Sequence, residues 1–191
     1  HSGMRILITG GDATDGYTIQ KPRMAIIQNP LPPPPSSLPE NGIKLVSYNY
    51  QRQLSSVKTT DYLMAIWLQP WMKEQKADDI LYHQNGSVSE CPRSNIFIIT
   101  KDQKLVTPQS GMLAGITRKN IIKAALKLNL EIEERAVELQ EVIGAAGVFI
   151  CSTTKRIMPV SMIDGVSIPM SSSRNIMETL WNELLKMEEA S

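Results

Sequence analysis

Two cysteines, two histidines, two phenylalanines and no long apolar run leave this 191-residue sequence short of several kinds of chemistry from the outset. Cys91 and Cys151 are too few and too far apart for a disulfide framework or a zinc cluster, so no metal site is expected. Buried thiols in a reducing compartment are the simpler account, which places the protein in the cytoplasm. His1 and His83 supply no basis for a Ser-His-Asp arrangement, and His83 reads as a strand-surface residue. No stretch approaches the roughly eighteen apolar residues of a membrane-spanning helix, and no signal-peptide pattern opens the chain. Charge of one sign is lacking too: 20 basic residues face 19 acidic ones, for a net charge of +1. With no dominant Lys/Arg stripe, neither nucleic acid nor an anionic membrane is expected as the main partner.

What is present is ordinary for a globular protein with a sizeable core, 42% hydrophobic and 20% charged. RILIT (5 to 9) and RMAIIQ (23 to 28) read as a strand pair around GGDATDG. Either His1 to Gly3 precede the natural start at Met4, or the chain is the later part of a longer one. NPLPPPPSSLP (29 to 39) fixes φ repeatedly and removes amide donors, as a stiff interdomain linker would; recognition by an SH3-type partner is the other use of such a run. Beyond it, 42 to 50 alternates like a strand, and 54 to 60 resembles a strand running into a helix start. The stretch 61 to 76 is helical with an interruption at Pro70, and the Asn-Gly pair within 78 to 90 marks a hairpin turn. SNIFIIT and KLVTP form a second hairpin around KDQ. GITRKNIIKAALKLN (115 to 129) reads as a helix that Thr117 can cap, and the last amphipathic helix follows a run of serine caps. LEIEERAV, AGVFICST and IMPVSMI read as strands and VELQEVIGAA as a short helix. Strands and helices mix without a βαβ rhythm, which predicts an α+β fold.

Among residues able to do chemistry, Lys58 is the only charge between Leu54 and Thr60, in a stretch of hydroxyl and β-branched residues. A desolvated nucleophile and a cation at a strand end both fit it. Glu90 precedes a strongly apolar strand, where an inward carboxylate needs a positive or protonated partner to offset its desolvation. Gly115-Ile116-Thr117 offers free amides, a helix dipole and a hydroxyl, which suit a phosphate or simply start a helix. Ser152-Thr153-Thr154 offers three hydroxyls at a strand end, for a phosphate or for a turn. The GGDATDG loop lacks the spacing of a dinucleotide fingerprint and reads as a hairpin loop. Together, an amine, a lone carboxylate and two phosphate-suited clusters match what pyridoxal 5'-phosphate requires. The amine meets the aldehyde, the carboxylate keeps the ring nitrogen protonated, and the clusters hold the phosphate.

The succession VKTTDYL, SECPRSNIFII, LVTPQSGMLAGITR and GVFICSTTKRIMPV resembles the class IV aminotransferases, the fold-type IV pyridoxal-phosphate enzymes. That family includes branched-chain aminotransferases, D-amino-acid aminotransferases and aminodeoxychorismate lyases, and the resemblance spans roughly residues 5 to 165. It implies that Lys58 is the Schiff-base lysine and proton shuttle and that Glu90 pairs with the pyridine nitrogen. It implies that Leu113 packs on the cofactor ring, and that Ile116, Thr117, Thr153 and Thr154 hold the phosphate. Asn95 is expected to shape the backbone beside Glu90. Two departures stand out. Asp61 occupies a position where the family has asparagine, and its negative charge would raise the pKa of the amine unless it is turned away or paired. The phosphate-binding arginine that the family carries before RILITGG has no counterpart in this sequence.

The resemblance implies a two-domain architecture: 1 to 28 as the remnant of a small domain, 29 to 39 as the linker and 40 to 191 as the large cofactor-binding domain. It implies an amino-acid aminotransferase, with branched-chain substrates favoured by Gly10-Gly11, working on an amino acid and a keto acid as a homodimer. The alternatives are a 4-amino-4-deoxychorismate lyase that releases pyruvate and 4-aminobenzoate, and a non-catalytic relative or binding module.

Overall fold

A computed structural model describes residues 2–190, and the reading of His1 lies outside them. The chain divides into two compact units between Pro34 and Pro35. In the first, β1 (Ser2–Thr9) pairs antiparallel with β2 (Arg23–Pro30), from Ser2 opposite Pro30 to Thr9 opposite Arg23. The strand therefore begins at Ser2 rather than Arg5. Ser2 to Met4 carry no β-propensity signal, and their pairing with Gln28 to Pro30 extends it. The loop between the strands ties itself up locally. The Asp15 carboxylate accepts from the amides of Tyr17 and Thr18 and from the Thr18 hydroxyl. Those bonds, the hydroxyl first, hold its pKa down at about 2. Gly11 sits at φ +75°, where an added Cβ would strike the Lys21 carbonyl. Met4, Ile6, Ile8, Met24 and Ile26 are all exposed on this hairpin.

The second unit is built on a mixed sheet. Its strands are β3 (Ile43–Asn49), β4 (Asp79–Gln84), β5 (Ser87–Val88), β6 (Asn95–Ile99) and β7 (Leu105–Pro108), followed by β8 (Ile132–Arg135), β9 (Gly147–Ser152), β10 (Arg156–Ile163) and β11 (Val166–Ser167). The order is β5-β4-β3-β10-β9-β6-β7-β8, with β11 on β10; β3 is parallel to both β4 and β10, and β9 is antiparallel to β10 and β6. Among the described residues, five helices accompany it: α1 (Leu63–Trp67), α2 (Gln69–Glu74), α3 (Ile116–Lys127), α4 (Leu139–Ile143) and α5 (Arg174–Glu189). This is the α+β arrangement expected from the irregular element order.

Both faces of the central strands are covered, so their residues alternate between two cores. Ile96, Ile98, Val148 and Ile150 join one core with Val142 of α4. Phe97, Ile99 and Phe149 join the other with Ile121 of α3 and Leu180, Trp181 and Leu184 of α5. The Phe97 and Phe149 rings stack with centroids 5.0 Å apart. A third cluster packs Leu68 against Val46, Ile80 and Tyr82. That double burial explains why SNIFIIT and GVFIC read as unbroken apolar runs.

Local chemistry departs from expectation in three places, and Pro70 acts as expected. The stretch 54 to 57 is a turn, with Leu54 at φ 49° and the Val57 amide donating to the Leu54 carbonyl at 2.8 Å, so Lys58 does not end a strand. The helical stretch after Asp61 is two short helices, as Pro70 demands: Pro lies in the first turn of α2, where its missing N–H costs nothing. Thr117 does not cap α3. The cap position is Gly115, with extended backbone and no side-chain cap bond. Ser173 precedes α5 but its hydroxyl donates to the Met170 carbonyl at 3.3 Å instead of accepting from the helix. Among the described residues, no helix is long and apolar enough to cross a membrane.

Candidate active site

Strand pairing explains how distant segments meet. β6 and β9 run antiparallel with Asn95 opposite Cys151, so the start of SNIF and the end of VFICS lie side by side. β7 returns antiparallel to β6, and its end leads through residues 109–115 into α3. The Glu90 segment, the start of α3 and the Ser152-Thr153-Thr154 turn therefore converge at one end of the sheet. They line a cavity of about 400 Å³ together with Lys58, Asp61 and Leu113. That size lies within the ~300–1,000 Å³ usual for small-molecule and cofactor sites. All seven residues singled out for a cofactor, Lys58, Glu90, Leu113, Ile116, Thr117, Thr153 and Thr154, line this one cavity.

Glu90 is its buried carboxylate, only 5% exposed. Arg52 Nε donates to Glu90 Oε1 at 2.9 Å, and the Leu113 amide donates to Oε2 at 3.0 Å. Burial pushes the carboxyl above its ordinary pKa range, and the Leu113 amide, Arg52 and Lys58 oppose that push. Each oxygen accepts one bond, and a carboxylate has about four lone-pair directions, so Glu90 can accept a further donor from the cavity.

Arg52 was absent from the sequence-based reading, although an arginine six positions before Lys58 in a charge-poor stretch was a usable signal. Its Nη2 donates to the Ser55 carbonyl at 2.7 Å and its Nη1 to the Val57 carbonyl at 3.3 Å. One guanidinium thus fixes the turn that carries Lys58 and neutralises Glu90. Lys58 itself is exposed and not desolvated, because the 54–57 turn holds it at the cavity wall rather than in a strand. Asp61 lines the same wall, and its Oδ1 accepts from the Leu63 amide at 3.1 Å at the start of α1.

At the start of α3, which lines the same cavity, the first amides have no intrahelical acceptor and point outward with the positive end of the helix dipole. Asn95, 6% exposed, holds this corner: its Nδ2 donates to the Leu113 carbonyl at 2.7 Å. An added Cβ on Gly115 would lie 2.3 Å from Asn95 Oδ1. The bare glycine is what lets the helix start approach so closely. Gly115→Ala is therefore expected to force Asn95 from the Leu113 carbonyl, lower stability by ~2 kcal/mol and weaken binding of inorganic phosphate. Thermal melting and phosphate titration of the variant check both effects. The Thr153 and Thr154 hydroxyls lie in the β9–β10 turn, where the Lys155 amide donates back to the Ser152 carbonyl at 3.2 Å. Cys151 also faces the cavity, but burial pushes its thiol up to about 12. At neutral pH it is not a thiolate nucleophile.

Residues 1–163 match the family described as amino-transferase class IV, and the chain belongs to that family. It is 28% identical over 157 residues to the D-alanine aminotransferase of Bacillus licheniformis, covering 79% of this chain and 56% of that protein. It is 37% identical over 118 residues to a Thermotoga maritima protein assigned as a branched-chain-amino-acid aminotransferase, covering 59% of this chain and 43% of the other. Among solved structures, a Legionella pneumophila protein assigned as a 4-amino-4-deoxychorismate lyase superposes with a TM-score of 0.85 at 25% identity, covering 97% of this chain and 70% of that one. The chain thus spans about half the length of these curated relatives.

Proposed function

We propose that the chain is the cofactor-binding part of a pyridoxal-phosphate-dependent amino-acid aminotransferase, with branched-chain amino acids among its substrates. The observation that carries this is the single cavity holding an amine, a buried carboxylate and a bare-glycine helix start. The donor set fits the cofactor. Lys58 would meet its aldehyde, Glu90 its ring nitrogen and Leu113 its ring face. Ile116, Thr117, Thr153 and Thr154 would meet its phosphate. When bound, pyridoxal phosphate supplies a protonated ring that accepts electrons from the substrate α-carbon.

The chain's own residues then do the rest. Lys58, on a turn fixed by Arg52, takes the α-proton as general base and returns it as general acid. Glu90 holds the ring nitrogen's proton, and Arg52 keeps Glu90 ionised in a site where burial favours its neutral form. Glu90→Ala is expected to lower the turnover by about 10²-fold or more while the cofactor still loads. Steady-state rates and absorbance titration check this, and an unchanged rate removes the assignment.

Residues 1–28 fit the remnant of a small domain, since a two-stranded hairpin exposing Met4, Ile6, Ile8, Met24 and Ile26 is marginal without further covering elements. Residues 29–39 then act as the linker, with Asn29 and Pro30 still paired in β2 and Leu38 packed into the second unit's core, and 40–191 as the large domain. A homodimer is favoured by Leu63, Ile66 and Trp67, which are 74%, 59% and 67% exposed on α1 just beyond the Lys58 turn. Cytoplasmic location fits the two buried, unpaired cysteines.

A second reading is favoured by the Legionella structural likeness: elimination of pyruvate from 4-amino-4-deoxychorismate with the same lysine. Purified protein loaded with pyridoxal phosphate separates the two. Keto-acid formation that depends on an added acceptor supports the transferase, and pyruvate release without one supports the lyase. A protein that stays colourless with added cofactor and does neither is a non-catalytic relative.

A further inference from the structure

Three other cations stand in or beside the cavity, and each has an engagement. Arg52 is held by Glu90 at 2.9 Å. Lys155 lies 3.6 Å from Asp79 and donates to the Ser94 hydroxyl at 3.3 Å. Lys58 carries the proton chemistry of the reading above. Arg93 also lines the cavity, is exposed, and forms no hydrogen bond or ion pair with another described residue.

Its backbone is nonetheless firmly placed. Arg93 is the third residue of the turn Cys91–Ser94, closed by the Cys91 amide to the Ser94 carbonyl at 2.9 Å and by the Ser94 amide to the Cys91 carbonyl at 3.3 Å. Pro92 fixes φ inside that turn, and buried Cys91, Ser94 and Asn95 anchor it on both sides. A guanidinium with an immobilised base and a free head is suited to bidentate recognition of an oxyacid.

We propose that Arg93 binds the carboxylate of the incoming amino or keto acid, an inference that rests on reading the cavity as an amino-acid site. Two oxyanions would enter such a cavity, a cofactor phosphate and a substrate carboxylate. The phosphate already has neutral, convergent donors in the α3 amides and the Thr117, Thr153 and Thr154 hydroxyls. Arg93 is instead solvent-facing, where a ligand that must enter and leave at each turnover can exchange. It also adds positive charge to a cavity whose lining includes the Asp61 carboxylate, which repels an entering anion.

The test uses glutarate as the carboxylate probe and glutaramide as its uncharged counterpart, titrated calorimetrically into the purified chain. Arg93→Gln is expected to weaken glutarate binding by about ten- to hundredfold. Arg93→Lys should retain part of the affinity, and glutaramide should bind weakly to all three proteins. In the loaded protein the same loss should fall on KM for the keto acid, with kcat within a few-fold of the parent. Equal glutarate affinity in parent and Arg93→Gln overturns the proposal. So does a loss confined to retention of pyridoxal phosphate, which would give Arg93 to the phosphate instead. A chain that never takes up the cofactor overturns the aminotransferase reading, while the glutarate titration still decides the role of Arg93.

Discussion

Replacement of Lys58 by alanine is expected to lower the proposed transamination by about a thousandfold or more, with almost no change in stability. The two halves of that expectation come from the same observation. Lys58 is exposed on the cavity wall and packs into no core cluster, so its removal opens no cavity. Surface truncations of that kind stay within about 0.5 kcal/mol. Chemically, however, it is the cavity's one amine that no carboxylate engages within the described residues. Borohydride reduction after incubation with pyridoxal phosphate should add the cofactor's mass to the parent at Lys58 and leave Lys58→Ala unlabelled. Equal rates, or labelling of both proteins, would remove Lys58 from its assigned role.

Arg52→Leu should be the more damaging change to the molecule itself. The guanidinium is 13% exposed and its Glu90 partner 6%. Removing it leaves a buried carboxylate with only the Leu113 amide, and breaking a buried pair on one side costs roughly 3 kcal/mol or more. It also releases the Ser55 and Val57 carbonyls, so the turn bearing Lys58 loses its brace. Without the cation, Glu90's pKa rises further above its ordinary range. A carboxyl whose folded pKa is raised binds its proton more readily in the folded state, so stability falls as pH rises from the unfolded value through the folded one. The variant should therefore melt lower than the parent, with the gap wider at neutral than at mildly acidic pH. Melting curves at several pH values check this. A gap that widens on acidification would contradict the Glu90–Arg52 account. Arg52→Lys should recover part of the loss, since a point charge can face Glu90 without spanning both carbonyls.

Much of the fold was legible because the local signals were strong. Asn85-Gly86, both at positive φ, turn β4 into β5, and Pro70 divides the helical stretch. The Asp164-Gly165 turn from β10 into β11 went unread, because β11 is only two residues long and too short to show a pattern. Caps were read less well. Thr117 and Ser173 have the right side chains, but capping depends on backbone angles and on where the hydroxyl finds a partner. At the site, Lys58, Glu90 and the two hydroxyl clusters stood out by type and order, whereas Arg52 did not. Its meaning lies in a pairing across 38 positions. Lys58 was expected in a low-polarity strand end and sits in an exposed turn, since nothing in LSSVK foretells the left-handed backbone of Leu54.

The position of β3 has a consequence for how the chain becomes a protein. β3 pairs on one side with β4, soon after it in sequence, and on the other with β10. The Asp164 carboxylate that locks this second edge, accepting from the Ser47 amide and hydroxyl at 2.7 Å each, lies 117 positions away. β9 waits for the same strand. Until β10 has emerged from the ribosome, two central strands present open edges and apolar faces together, the state most prone to pairing with a neighbour. Closing that loop is slow by topology, so the sheet completes itself only once β10 has been made, and the cavity it frames forms after that closure.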